Sequence, residues 1–154
     1  MSVIESRLVE LGVTLPSPPM PVASYVPSTI SGNIVFISGQ IPIADGAIKY
    51  IGKLGVDVPL EAGQAAAQLC AINILSVLKV ACEDDLDRVV QCLKVQVFVN
   101  ATPDYDKQPE VANGASDLFA AVFGDAGKHA RAAVGMGSLP RGVAVEVDAI
   151  FEIK

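Results

Sequence analysis

Arg131 stands at the head of a small, apolar run, Ala132-Ala133-Val134-Gly135-Met136-Gly137. A Leu139-Pro140-Arg141-Gly142 turn follows, and residues 143–153 then alternate as a strand that carries Glu146. Two strands joined by a tight Pro-Gly turn can bring an arginine and a carboxylate to one sheet edge. A guanidinium held there offers a fork matched to a carboxylate or phosphate, and small neighbours leave a ligand room to approach. The ordinary reading of such an arginine is a surface charge at a strand start. Glu146 lies between Val145 and Val147, opposite the apolar row Val143, Val145, Val147 and Ala149. Taken alone it belongs to a solvated face shared with Asp148 and Glu152.

Other residues are weaker candidates. His129 is the only histidine. Two residues from Arg131, it is able to act as an acid or base near neutral pH, although the sequence favours a plain loop residue. Ser38-Gly39-Gln40 closes an apolar strand, where a glycine lets backbone approach a ligand and otherwise marks a strand terminus. There is no GxSxG, HExxH, Walker A or GxGxxG motif. With one histidine and no cysteine cluster the residues do not make a zinc site, and no metal or cofactor is expected. A serine triad would need His129 and has no elbow motif to support it.

The elements that must position these groups follow from periodicity and composition. The 154 residues are one domain's worth of chain, 1–154, able to bury a real core. Ser2-x-x-Glu5 is a capping box ahead of Ile4, Leu8 and Leu11, with Gly12 as a stop. The prolines of residues 16–21 predict an extended linker, so residues 1–22 form an N-terminal helix and a Pro-rich extension. Residues 25–30 and 34–38 read as strands around Ser31-Gly32-Asn33, and 47–51 as a third strand after Asp45-Gly46. Pro59 opens a long helix to about residue 82, apolar on more than one side. Residues 91–99 alternate with Leu93, Val95, Val97 and Val99 on one face, and 111–123 form a second helix stopped by Gly124. The order β-β-β-α-β-α-β-β predicts an α+β fold, a mixed sheet with two helices packed on one face.

Composition narrows the function classes. Hydrophobic residues make up 51%, charged residues 18%, and mean hydropathy is +0.47. No apolar run approaches the ~18 residues of a membrane span, so the apolar surplus points to subunit interfaces. The start MSVIESRLVELG lacks the basic and apolar regions of a signal peptide. Cys70 and Cys82 would lie roughly 18 Å apart on one helix, too far to bridge. A reduced, cytoplasmic setting is expected. Net charge −6 and pI ≈ 4.6 give no electrostatic footprint for nucleic acid.

From about Tyr25 onward the chain resembles the Rid family (YjgF-like reactive intermediate deaminases, historically labelled endoribonuclease L-PSP). The family's C-terminal signature is an arginine, a small-residue strand, Leu-Pro, then a Val-Glu or Ile-Glu pair. Here these are Arg131, Leu139-Pro140 and Val145-Glu146. Ser38-Gly39-Gln40-Ile41-Pro42 matches the strand-end SGQxP, Asn113 matches the asparagine ahead of Leu118-Phe119, and Tyr25 matches the tyrosine of the N-terminal strand. The resemblance implies a fold similar to trimeric chorismate mutase and a homotrimer with three clefts between subunits. It implies hydrolysis of 2-imino acids, or their enamine tautomers, to 2-keto acids and ammonia. In that scheme Arg131 binds the substrate carboxylate and Glu146 orients or activates water. Backbone near Gly39 and Ala133 contacts the imine, Asn113 lies in the substrate site, and the Tyr25 ring comes from a neighbouring subunit.

The chain departs from the family pattern at Ala23-Ser24 (usually Gly-Pro), at Ala133 (usually cysteine) and at His129 (usually proline). Two other readings are an endoribonuclease, as in the old label, and a non-catalytic, chaperone-like trimer that binds carboxylate ligands. The charge balance, 11 Lys and Arg against 17 Asp and Glu, argues against RNA.

Overall fold

The computed structural model describes residues 1–18, 20 and 23–154. Part of the expected Pro-rich linker over 16–21 therefore lies outside the described residues. Helix α1 (Val3–Glu10) starts as expected: Ser2 Oγ accepts from the Glu5 amide at 3.2 Å, and the Ser2 amide donates to Glu5 Oε2 at 3.3 Å. The carboxylate of Asp87 adds a cap from elsewhere in the chain, accepting from the Val3 and Ile4 amides at 2.9 Å each. Two otherwise unpartnered donors at the helix start are thereby satisfied.

Five strands make the main sheet: β1 (Ser28–Ser31), β2 (Ile34–Gln40), β5 (Val89–Asn100), β6 (Ala130–Met136) and β7 (Val145–Ile153). Their spatial order is β1-β2-β7-β5-β6. Only β5 and β6 are parallel, joined through helix α3 (Gln108–Phe123); the other pairs are antiparallel. The expected third strand is shorter than the sequence suggests. Strand β4 (Ala47–Ile48) pairs only with β3 (Ile43–Ala44) in a separate hairpin, and Ile51 makes a lone bridge to Val143.

The C-terminal turn corrects a second expectation. Strands β6 and β7 are not neighbours, because β5 lies between them. Arg141 and Gly142 both take positive φ (61° and 72°) in a short 3-10 turn at Pro140–Gly142, and this carries the chain past β5 rather than back along β6. The pairing edges of β2 and β5 together take the last strand.

Helix α2 (Leu60–Ala81) and α3 lie on one face of the sheet, making the α+β arrangement read from the sequence. The core sets Val95, Val97, Val99, Val145, Val147 and Phe151 against Cys70, Ile74 and Leu78 of α2 and Val111, Phe119 and Val122 of α3. By length and composition α2 passes as a membrane span, but it is the core helix, with 56% of its apolar window buried. Gly114 sets how closely α2 and α3 approach: a Cβ there would meet the Gln64 carbonyl oxygen at 2.0 Å. In β5 the register shifts between Cys92 and Lys94, so buried Cys92 takes the inward place expected of Leu93. The opposite face of the sheet carries Phe36, Phe98, Val134 and Ile150 among charged side chains, and neither long helix packs on it.

Candidate functional site

Arg131 is exposed on the edge strand β6. Its register partner on β5 is Val95, so its side chain leaves the sheet on the helix face. There α3 meets it with two residues three apart, one helical face. Arg131 Nη1 donates to Asn113 Oδ1 at 2.8 Å and to Ser116 Oγ at 3.2 Å. Ala133, two residues on, is half-buried on the same face against the core. Ser116 Oγ also lies 2.9 Å from His129 Nε2, and His129 Nδ1 lies 2.7 Å from the Gly127 carbonyl. The Phe119 ring stands edge-on to the imidazole with centroids 6.0 Å apart. Burial holds the imidazole below the usual histidine range; the Gly127 carbonyl opposes this and the Arg131 charge adds to it.

Glu146 leaves β7 on the other face. Its register partner is Phe98, itself level with Val134 on β6. One strand and three residues of rise separate it from Arg131, so the two Cα atoms are about 14 Å apart, at ~4.8 Å between strands and ~3.3 Å per residue. Half-burial raises the Glu146 carboxyl above the usual range, and the nearby Asp148 charge raises it further. Asp148 is itself raised by burial, against the pull of Lys94.

Gly39 sits directly on Glu146. It occupies an irregularity in the β2–β7 register, and a Cβ built on it would meet Glu146 Oε2 at 2.8 Å and Cδ at 3.0 Å. The side chain of Glu146 thus lies over bare backbone, as a glycine at a strand end allows. Tyr25 precedes β1 rather than belonging to it and is 56% exposed. With Gly39 it lines a cavity of about 540 Å³ that also takes in Met20, Gln40, Asn73 and Arg141. The Asn73 amide donates to the carbonyls of Ile41 and Ile43 at 3.1 Å each, which fixes the chain after β2.

The candidate residues therefore fall into two groups. Gly39 links the first, lying against Glu146 on one side and sharing a cavity with Tyr25 on the other; Arg131, Asn113 and Ala133 gather at the β6 edge. Ser116 and Arg141 were not singled out by the sequence. Ser116 shares a helix face with Asn113, which was a usable signal, whereas the place of Arg141 in the cavity depends on the shape of its turn. Among the described residues no three His, Cys, Asp or Glu side chains are clustered as metal ligands. Cys70, Cys82 and Cys92 are free and buried. Burial pushes the Cys82 thiol up to about 11 and Cys92 to about 12, and raises Cys70 well above its usual value.

A family model described as "YjgF/chorismate mutase-like, putative endoribonuclease" matches residues 5–148. The chain is 45% identical to Protein TCP17 of Trypanosoma cruzi over 151 residues, 97% of this chain and 94% of that one. It is 33% identical to RutC family protein PH0854 of Pyrococcus horikoshii, over 86% of this chain and 89% of that one. The crystal structure of Atu1372 from Agrobacterium tumefaciens, of unknown function, superposes with a TM-score of 0.93 at 50% identity, over 99% of this chain and 94% of that one.

Proposed function

This chain belongs to the YjgF/chorismate mutase-like family, and on that premise we propose that it hydrolyses reactive 2-imino acids, or their enamine tautomers, to 2-keto acids and ammonia. The observation that carries this reading is Arg131: its guanidinium is anchored on one side by Asn113 and Ser116 and exposed on the rest. An anchored cation in a chain of net charge −6 is a place for a small carboxylate to settle.

Arg131 and Glu146 leave opposite faces of one sheet, so a single chain does not bring them to one substrate. The reading resolves this with a homotrimer. The Arg131 edge of one subunit faces the Tyr25–Gly39–Glu146 group of the next, and the apolar face bearing Phe36, Phe98 and Val134 is covered by assembly. The three buried, unpaired thiols support a reducing, cytoplasmic setting as part of this reading.

The chemistry asks little beyond positioning, since a protonated imine is already electrophilic. Arg131 holds the carboxylate. Glu146 takes a proton from water as the oxygen bonds to C2 and the C=N electron pair moves to nitrogen. Glu146 then returns that proton to nitrogen and takes the hydroxyl proton. The C–N bond breaks with its pair on nitrogen, the carbonyl forms, and ammonia leaves with the remaining proton.

The family description supplies an endoribonuclease reading, and a carboxylate-binding trimer without turnover is a third. The acidic chain disfavours the first; turnover of freshly generated imino acid, if measured, would exclude the third. Calorimetry with 2-oxobutyrate on wild type, Arg131→Lys and Arg131→Ala tests the site. Lysine lacks the two-point fork, so Arg131→Lys weakens binding and Arg131→Ala abolishes it. A loss of about 2–5 kcal/mol is expected if the pair is desolvated. Equal affinity in wild type and Arg131→Ala would sink the assignment.

A further inference from the structure

We infer that Asn113, Ser116 and His129 are positioning residues that force Arg131 to receive a carboxylate side-on, through Nε and Nη2. This rests on the carboxylate-binding role proposed above for Arg131. The hydrogen positions follow from which atoms are able to donate. The Gly127 carbonyl only accepts, so His129 Nδ1, 2.7 Å away, carries the imidazole hydrogen. The half-buried ring, which burial disfavours in its charged form, then presents a lone pair at Nε2. Ser116 Oγ, 2.9 Å from it, donates its hydroxyl hydrogen there. With that hydrogen committed, Ser116 turns oxygen lone pairs toward Arg131 and accepts from Nη1 at 3.2 Å. Nη1 also donates to Asn113 Oδ1 at 2.8 Å.

A guanidinium offers a carboxylate two forks. The end-on fork uses Nη1 with Nη2, and the side-on fork uses Nε with Nη2. Nη1 already serves two acceptors within the chain, so an end-on carboxylate competes with those bonds while a side-on one does not. Nε and Nη2 make no hydrogen bond among the described residues. The anchoring also removes most of the rotamer freedom that a free arginine loses on binding, which raises affinity through preorganisation.

Ser116 relays the state of the ring to the guanidinium. A charged imidazole would donate from Nε2 and compete for the oxygen that Nη1 now uses. The charges around the ring oppose that state or leave it alone. Arg131 faces it from β6, Lys128 and Asp125 of the preceding turn pair with each other at 3.1 Å, and Asp117 of α3 is exposed.

The test reads the arginine Nε–H signals of 15N-labelled protein by NMR. The chain has four arginines, and the signal missing from Arg131→Lys is that of Arg131. On adding 2-oxobutyrate, the Arg131 Nε–H signal is expected to move downfield and exchange more slowly with water. Calorimetry is expected to show about a tenfold loss of affinity in Ser116→Ala, the worth of one hydrogen bond to a charged group, with most of it restored in Ser116→Thr. An unmoved Nε–H signal, with 2-oxobutyrate bound and the affinity lost in Arg131→Ala, would mean end-on docking. That result overturns this inference and leaves the proposed function standing. Wild-type affinity in Ser116→Ala overturns the positioning role in the same way, whereas no binding to wild type overturns both.

Discussion

Gly39→Ala separates displacement of the proposed water-handling carboxylate, Glu146, from damage to the fold. The backbone at Gly39 has no positive φ, so alanine fits its conformation. The new methyl would stand 2.8 Å from Glu146 Oε2, 3.0 Å from Cδ and 3.3 Å from Cγ. Ordinary carbon contacts need ~3.5 Å or more, so the carboxyl must move by roughly 0.5–1 Å. Only the end of a flexible side chain has to give. An off-rotamer torsion costs about 0.5–1.5 kcal/mol. The smaller entropy of an unfolded chain with alanine offsets about 0.4–1 kcal/mol of that. At about 2–4 °C per kcal/mol for a chain of this size, the melting temperature should shift by no more than about 4 °C. Turnover is far more sensitive, since ~1 Å of misplacement can remove about 10²-fold; kcat should fall by roughly 10–100-fold.

A thermal scan and an imine hydrolysis assay on the same preparation decide the matter. Gly114→Ala is the contrasting control. Its methyl would meet the Gln64 backbone carbonyl at 2.0 Å, nothing there is free to move, and the α2–α3 contact should fail. Wild-type turnover in Gly39→Ala would remove Glu146 from the chemistry, and a collapse in melting temperature would make Gly39 a packing residue instead.

Other outcomes follow from the same geometry. Sedimentation at micromolar concentration should give about three times 16.0 kDa; a monomer would leave the Arg131 and Glu146 groups apart. Glu146→Gln should lower kcat by about 10²–10⁴-fold while 2-oxobutyrate affinity stays near wild type. Because burial and Asp148 raise the Glu146 carboxyl, wild-type turnover should climb with pH through a point above the usual carboxylate range, and Glu146→Gln should lack that limb. The folded state holds that proton more tightly than the unfolded state, so Glu146 contributes stability at low pH that is lost as pH rises through its shifted value. The three thiols are buried and hard to ionise, so native alkylation near neutral pH should be slow and leave activity unchanged; rapid inactivation of the intact oligomer would contradict this.

What the sequence shows plainly is what local chemistry decides. The Ser2–Glu5 box, the alternation of Val145, Val147 and Ala149, and the stop of the second helix at Gly124 all appear in the structure as read. The neighbour of β6 is another matter. Turn residues report that the chain changes direction at Pro140–Gly142, but which strand waits there is settled by free hydrogen-bonding edges elsewhere in the sheet. For the same reason the sequence shows Arg131 and Glu146 as candidates without showing that they leave opposite faces. The bulge that replaces Leu93 with Cys92 breaks a clean period of two, and no residue type marks it. His129 reads as a loop residue because its partner, Ser116, lies 13 positions away on a helix and meets it only after packing.

The position of β7 bears on how the protein is made. The strand is central, between β2 and β5, yet it follows both in the chain. Until it emerges from the ribosome, the N-terminal hairpin and the β5-α3-β6 unit have no sheet in common, and each exposes a bare edge to whatever is nearby. Glu146 rides on that same strand. The sheet and its proposed water-handling carboxylate therefore arrive in one late step, and a product cut short before β7 has neither.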